Sequence, residues 1–417
     1  MEVLHRDLID QLKKFINRKE IIVISGPRQA GKTTLMKSIG GSLSGNKKFI
    51  NFEDAEIRKA FEESPLVFVK RFAGDGRLTL FLDEVQKIDK GGEKLKLIFD
   101  EIKGVKIFAS GSSSLEMRTN VLHALAGRAL IFELFTFSFI EFLYSRDKGI
   151  SKLFKERNEA LKGFIASSTA ILEPAFTNEF MAYWKEYVVF GGYPEVVKEQ
   201  KDIEIKKKLL NDIFNLYIDK DVVSFFRIYN SNKFIDFSKA VAFNIGGMLM
   251  LSSLANDIHI THYKAEKFLY ALLNTYVVAI VYPYYKNLLT EIRKTPKLYF
   301  LDMGLRNSVV GNLLEFDNRD DRGKLAENFV FRELLTMGYK VKYWRTTGDA
   351  EMDFVIETND GIVPIEVKLG GSKALGRSFY SFIEAYKPKR ALVVTLDEFS
   401  KREINGTVVY SIPIFYL

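Results

Sequence analysis

The 417-residue chain contains no cysteine. That absence excludes disulfides, thiolate zinc sites and cysteine nucleophiles, and it suits a reducing, cytoplasmic setting. Proline is also scarce, with nine residues, while hydrophobic residues reach 47 % against 27 % charged. A disordered chain would invert that balance, so compact folding is expected, in two to four domains because the length exceeds what one core serves. Met1 to Lys19 mixes charges with scattered Leu, Ile and Phe. It lacks the apolar run and small-residue cleavage site of a secretory leader, and no export is expected. The longest stretch without charge, Phe268 to Tyr285, has the length of a membrane span, but Asn274, Thr275 and Pro283 interrupt it. It reads as a helix end followed by a buried strand, and no membrane partner is expected.

Charge of one sign is in modest excess, +8 overall. Residues 201–310 hold 15 Lys and Arg against 10 Asp and Glu, whereas 311–417 hold 15 against 16. The middle of the chain is therefore its basic part, which suits either a solvated surface or contact with nucleic acid.

Ile21 to Ile24 is a short β-branched run that reads as a buried strand. It leads into Gly26, Pro27, Arg28, Gln29, Ala30, Gly31, Lys32 and Thr33, then into a helix expected from Thr34 to Ile39. Glycines in such a loop let backbone N–H groups converge on phosphate, and the helix N-terminus turns its dipole to the same anion. Gly26 to Thr34 is thus the expected ATP cradle. Lys32 would reach the β- and γ-phosphates, and the Thr33 hydroxyl would ligate Mg2+.

A second apolar strand, Leu78 to Leu82, ends in Asp83 and Glu84, at the carboxyl edge where ligands gather in open α/β sheets. Asp83 would hold the metal, and Glu84 would act as general base on the attacking water; two adjacent acids can also be a solvated turn. A third strand, Val105 to Ala109, ends in Ser110, Gly111, Ser112 and Ser113. Ser110 is a candidate reader of the γ-phosphate, while Ser112 and Ser113 serve equally as helix N-caps. Arg128 then precedes a strand from Ala129 to Leu134 and is placed at the sheet edge too.

The order of these elements resembles the AAA+ ATPases from Arg6 to Phe142. The resemblance implies a parallel sheet of order 5-1-4-3-2, Ser110 as sensor 1 and Arg128 as an arginine finger offered to a neighbouring subunit. That implies a homo-oligomer, such as a hexamer. An ordinary surface arginine is the alternative for Arg128. Phe190 to Glu195 resembles the Gly-x-Pro element of the signalling-type branch, with Pro194 near adenine; the same letters also make a plain interhelical turn.

Glu141 to Lys201 has helical spacing and reads as a lid on the ATPase core. Leu251 to Ala255, a break at Asn256 to Ile258 and a helix from Thr261 to Leu273 form a helix-turn-helix pattern. Strands at Val277 to Val281 and Leu298 to Leu301 would be its wing. The layout resembles a winged helix in which His262, Lys264 and Lys267 face outward and meet DNA phosphates.

In the last third, Lys324 to Leu335 has helical periodicity with Glu327 beside its apolar face. Asp353 to Glu357 and Ile362 to Lys368 are strands joined by a turn at Thr358 to Gly361. A closed turn pairs Glu357 with Ile362 and Pro364 with Val355, and so sets Asp353 opposite Glu366, with Lys368 on the same face. Opposed carboxylates repel unless a cation lies between them. A divalent metal would resolve this, and Lys368 would orient water or stabilise developing charge; a surface charge cluster is the alternative. Glu327, Asp353, Glu366 and Lys368 are similar in order and strand context to the site of the restriction-endonuclease and archaeal Holliday-junction-resolvase fold.

The whole chain resembles a family of prokaryotic AAA+ proteins that end in a domain of unknown function, with Tyr299 to Arg306 and Leu325 to Val330 as parts of that ending. The expected organisation is α/β: an AAA+ P-loop core with a parallel sheet over 1–140, a helical lid over 141–205, a winged-helix module over 206–310 and a restriction-endonuclease-like domain over 311–417. One function that fits is a Mg2+-dependent ATPase acting on DNA, with a metal-dependent nuclease domain. The other is a regulatory ATPase of signalling type whose C-terminal domain binds without catalysis. An unfoldase would need an aromatic-glycine pore loop, and none is found.

Overall fold

In the computed structural model, five short runs rich in β-branched and aromatic residues become β1 (Ile21–Ser25), β2 (Asn46–Asn51), β3 (Leu78–Asp83), β4 (Val105–Gly111) and β5 (Ala129–Glu133). All pair in parallel, in the order β2-β3-β4-β1-β5, which is the order the resemblance implies. Such a sheet is covered on both faces. Ile21, Val23, Leu80, Leu82, Ile107 and Ala109 pack on one face. Ile22, Ile24, Phe81 and Phe108 pack on the other, against Leu35, Met36 and Ile39 of the helix Lys32–Ser42. The structure describes residues 5–417 except 74–76, 113–116, 168, 224, 225, 227, 229, 230, 286–290, 292, 293 and 371–374.

Two compact units result. The first is Met1–Thr136 with Ala271–Val277, and the second is Phe137–Tyr270 with Val278–Leu417. The later segment of the first unit is held by Tyr276, a left-handed residue at φ 61°. Its hydroxyl lies 2.9 Å from Ser25 Oγ and 3.3 Å from Glu133 Oε1, at the carboxyl ends of β1 and β5.

The expected lid corresponds to the helices Phe139–Arg146, Lys148–Ser167, Thr177–Phe190 and Pro194–Lys198, all in the second unit. The first of these is set by a capping box of Ser138 and Glu141. The helix-turn-helix pattern becomes Leu251–Asp257 and His262–Asn274, followed by β6 (Val278–Val281) and β7 (Lys297–Phe300), which pair antiparallel. His262, Lys264 and Lys267 are exposed. Among the described residues no helix is long and apolar enough to cross a membrane.

The last third of the chain forms β8 (Val341–Arg345), β9 (Glu351–Thr358), β10 (Gly361–Lys368), β11 (Arg390–Thr395), β12 (Ser400–Ile404) and β13 (Thr407–Pro413). They lie in a mixed sheet of order β12-β13-β11-β10-β9-β8. The β9–β10 turn is tighter than expected, because Thr358 already pairs with Gly361. Its register is the expected one: Glu357 pairs with Ile362 and Pro364 with Val355. The ladder stops at Ile365 and Phe354, one pair short of the expected Asp353–Glu366 pair. Instead the Asp353 carboxylate accepts from the Val367 N–H at 2.7 Å, so a side chain takes the place of a ladder carbonyl.

Candidate functional site

The candidate site residues gather in two constellations, one in each unit. In the first unit the constellation stands at the carboxyl edge of the parallel sheet. A Cβ on Gly26 would run into the Leu134 carbonyl oxygen, so glycine alone lets the loop leave β1 there. Gln29 at φ 60° and Gly31 at φ 93° are left-handed, the kind of turn that shapes backbone into an anion-binding concavity. Gly31 is the N-cap of the helix Lys32–Ser42 and brings no capping side chain, so the first helical N–H groups are those a phosphate would satisfy. Lys32 Nζ donates to the carbonyls of Gly26 and Pro27, 2.8 Å each. Arg6 braces the loop from behind, donating to Ala30 O at 3.1 Å and Phe135 O at 2.5 Å. Pro27 and Ala30 are buried, Arg28 is half-buried, and Thr34 is exposed on the first turn.

Two elements converge on the carboxylate of Asp83 at the end of β3. Thr33 Oγ1 donates to Asp83 Oδ2 at 2.6 Å, and Ser110 Oγ donates to Asp83 Oδ1. Hydroxyl and carboxylate oxygens are hard donors that fit Mg2+, and Thr33 and Asp83 are the residues that would hold it. Glu84 adopts a left-handed conformation at φ 57°, a departure that costs on the order of 1 kcal/mol for a residue with a Cβ. Gln86 holds it there: its Nε2 donates to Glu84 Oε2 at 2.5 Å and to Ser112 Oγ at 3.2 Å. Sequence reasoning passed over Gln86, although its place two residues after Glu84 was a usable signal. Ser112 joins this network, and Ser113 lies outside the described residues.

Arg128 is a correction. It was expected at the phosphate edge, but it precedes β5, and in a parallel sheet residues before a strand lie at the amino edge. Its carbonyl accepts from the Ile21 N–H at 2.8 Å. Its guanidinium grips Asp100, Nε to Oδ1 at 2.9 Å and Nη2 to Oδ2 at 3.1 Å. A five-residue strand, about 16 Å long, separates it from the phosphate edge. Pro194 lies in the second unit, buried at the start of the helix Pro194–Lys198. The preceding Gly191 and Gly192 pass so close to Gly304 and to Phe137 that a Cβ on either would overlap backbone, which accounts for those glycines within that unit.

The second constellation gathers Glu327, Asp353, Glu366 and Lys368 with three residues that sequence reasoning missed: Lys297, Tyr299 and Glu351. Lys368 Nζ stands 3.0 Å from Glu366 Oε1. Lys297 Nζ stands 3.1 Å from Glu327 Oε1 and 2.6 Å from Glu351 Oε1. Tyr299 donates to Glu327 Oε1 at 2.5 Å. The signal for the missed pair was the period of two along β7, which sets Lys297 and Tyr299 on one face.

Like charges crowd here. Burial, followed by the Glu327 and Glu366 carboxylates, pushes the Asp353 carboxyl well above the usual range. Burial raises Glu366 too, with Lys368 opposing. Burial works against the Lys297 ammonium, but Glu327, Glu351 and Asp353 outweigh it and hold its proton more tightly than usual.

Glu366 Oε2 is buried without a hydrogen-bond partner, the kind of orphaned oxygen that a cation would satisfy. In donor chemistry Asp353 and Glu366 therefore fit one divalent cation. Among the described residues no three acidic or imidazole side chains are arranged as a metal cage; Glu327 and Glu351 are taken up by Lys297.

Residues 18–143 match a family described as an AAA domain. With the loop geometry above, the first unit has the fold of a P-loop AAA-type ATPase domain. Residues 181–317 and 322–415 match two families described as domains of unknown function. The chain is similar to an uncharacterized protein of Mycobacterium tuberculosis, 26 % identical over 419 residues, covering 98 % of this chain and 83 % of that protein. An uncharacterized protein of Methanocaldococcus jannaschii is 26 % identical over 374 residues, covering 85 % and 75 %. Among solved structures, the Walker-type ATPase of Pyrococcus abyssi shares 13 % identity, covers 74 % of this chain and 96 % of its own, and superimposes with a TM-score of 0.48.

Proposed function

We propose that the protein is a Mg2+-dependent ATPase that acts on DNA. The observation that carries the ATPase reading is the convergence of Thr33 and Ser110 on Asp83. A hydroxyl from the loop helix and one from β4 meet a carboxylate at the end of β3, beside a loop shaped for phosphate.

Lys32 is folded onto two loop carbonyls and would exchange them for phosphate oxygens when ATP enters. Mg2+ held by Thr33 and Asp83 would neutralise charge on the β- and γ-phosphates. Glu84, steadied by Gln86, takes the proton of the attacking water, and Ser110 links the γ-phosphate edge to Asp83. Arg128 is about 16 Å from its own loop, so any part it has in hydrolysis is played in a neighbouring copy of a homo-oligomer. The test is nucleotide binding and turnover in Lys32→Ala and Glu84→Gln: the first should lose binding, the second should keep binding and lose turnover. Wild-type turnover in Glu84→Gln would remove it from the base role.

The second constellation supports a metal-dependent nuclease reading, carried by the orphaned Glu366 Oε2 beside Asp353. Asp353 and Glu366 would hold the cation and Lys368 would stabilise developing charge on a phosphodiester. His262, Lys264 and Lys267, exposed ahead of the β6–β7 wing, would grip DNA phosphates. Branched, linear and single-stranded DNA incubated with Mg2+ or Mn2+ should be cut by the wild type and spared by Asp353→Ala. No cleavage under any of these conditions would leave the domain as a binding module of a regulatory ATPase.

A further inference from the structure

Lys297 is the most deeply buried cation of the second constellation, with its side chain 2 % exposed, whereas Lys368 at the rim is 40 % exposed. It arrives on β7, outside the segment that supplies the other acids and Lys368. Its two short ion pairs lie on the Glu327 and Glu351 side. The Tyr343 ring lies 5.5 Å from its Nζ, and Tyr299 closes on the same carboxylate. Gly246 leaves the room: a Cβ there would stand 3.0 Å from Glu327 Oε2. The orphaned oxygen belongs instead to Glu366, which shares its surroundings with Asp353. One side of the cluster thus has its cation buried within the chain, while the other has only the half-exposed Lys368 on Glu366 Oε1, with Oε2 left without a partner.

We propose that Lys297 is a resident cation that sets the metal stoichiometry of this cluster: it occupies the Glu327–Glu351 side, so that Asp353 and Glu366 take one divalent cation and not two. The inference rests on the metal-site reading of Asp353 and Glu366. Paired divalent ions in such sites sit roughly 4 Å apart and share carboxylates. A second dication beside the ammonium would meet a like charge in a setting of low dielectric, where repulsion is several-fold stronger than in water. Without the ammonium, among the described residues Glu327 has no cation and Glu351 keeps only Arg345, 3.5 Å from its Oε2, and hard oxygen donors of that kind beside Asp353 recruit divalent cations.

The test counts Mn2+ bound per full-length chain by equilibrium dialysis without nucleotide, for the wild type, Lys297→Met, Lys297→Arg and Asp353→Asn. The P-loop is common to all four and cancels in the differences. Lys297→Met should bind one ion more than the wild type, and Lys297→Arg, which keeps the cation, should match the wild type. Equal counts in the wild type and Lys297→Met overturn the proposal. Equal counts in the wild type and Asp353→Asn overturn the metal-site reading beneath it, a separate failure. Should Lys297→Met not fold in metal-free buffer, recovery of the native circular-dichroism spectrum by Mn2+, but not by KCl of equal ionic strength, supports the proposal. Absence of recovery overturns it.

Discussion

The two units hold their acids in opposite ways. Asp83 is met by neutral donors, the hydroxyls of Thr33 and Ser110. The acids around Asp353 are met by ammonium groups, Lys297 and Lys368. A hydroxyl orients a carboxylate without cancelling its field, so a cation arriving with a ligand still gains from it. An ammonium cancels the field in advance. The first site is therefore arranged to receive charge from outside, while the second carries most of its countercharge in the chain.

The sharpest test of this contrast is Glu84→Gln. A general base contributes roughly 10²- to 10⁴-fold, so turnover should fall by about that factor with ATP affinity kept, as read by single-turnover kinetics beside equilibrium binding. A comparable fall in affinity would mean that the first site depends on Glu84 for binding, and the contrast would break.

Glu333 offers a middle case, a buried acid that accepts from the Phe139 N–H at 3.3 Å. Burial lifts its carboxyl from 4.5 to about 7, with Arg332 and that N–H pulling the other way. Because the folded state holds this proton more tightly than the unfolded one, the contribution is fully present below pH 4.5 and is lost as the pH rises through about 7. The loss amounts to about 3 kcal/mol. Denaturant titrations from pH 4.5 to 8 should show the wild type losing stability relative to Glu333→Gln, and parallel curves would contradict it.

Arg128→Ala should show the smallest effect. Its exposed pair with Asp100 is screened by solvent, so thermal unfolding should hardly move. If the finger reading holds, turnover per chain should drop, and only at concentrations where copies associate, which a dilution series would reveal.

Much of this was legible in the sequence. The loop from Gly26 to Thr33 declares itself because a strand, a phosphate turn and a helix follow at fixed spacing. The β9–β10 register was legible because a short Asn359–Asp360 connection leaves few ways to pair the strands. Arg128 was misplaced because its neighbourhood in sequence hides the direction of the strand it precedes. Lys297 and Tyr299 were missed for a different reason. Nothing near them in the chain is acidic enough to explain a buried lysine, and their partners Glu327 and Glu351 are brought to them by the tertiary fold. The repulsion expected between Asp353 and Glu366 was correctly sensed, but the chain ends the ladder one pair early instead of opposing them.

Tyr276 carries a consequence for the order in which the molecule is made. Its hydroxyl closes on Ser25 and Glu133, yet residues 137–270 lie between the two segments of the first unit. At ribosomal speeds of ~5–20 residues per second, that interval lasts on the order of 10 s. During this time the nascent nucleotide-binding sheet waits without its last tyrosine. A sheet whose strands all lie before residue 134 is thus completed only after residue 276 has been made.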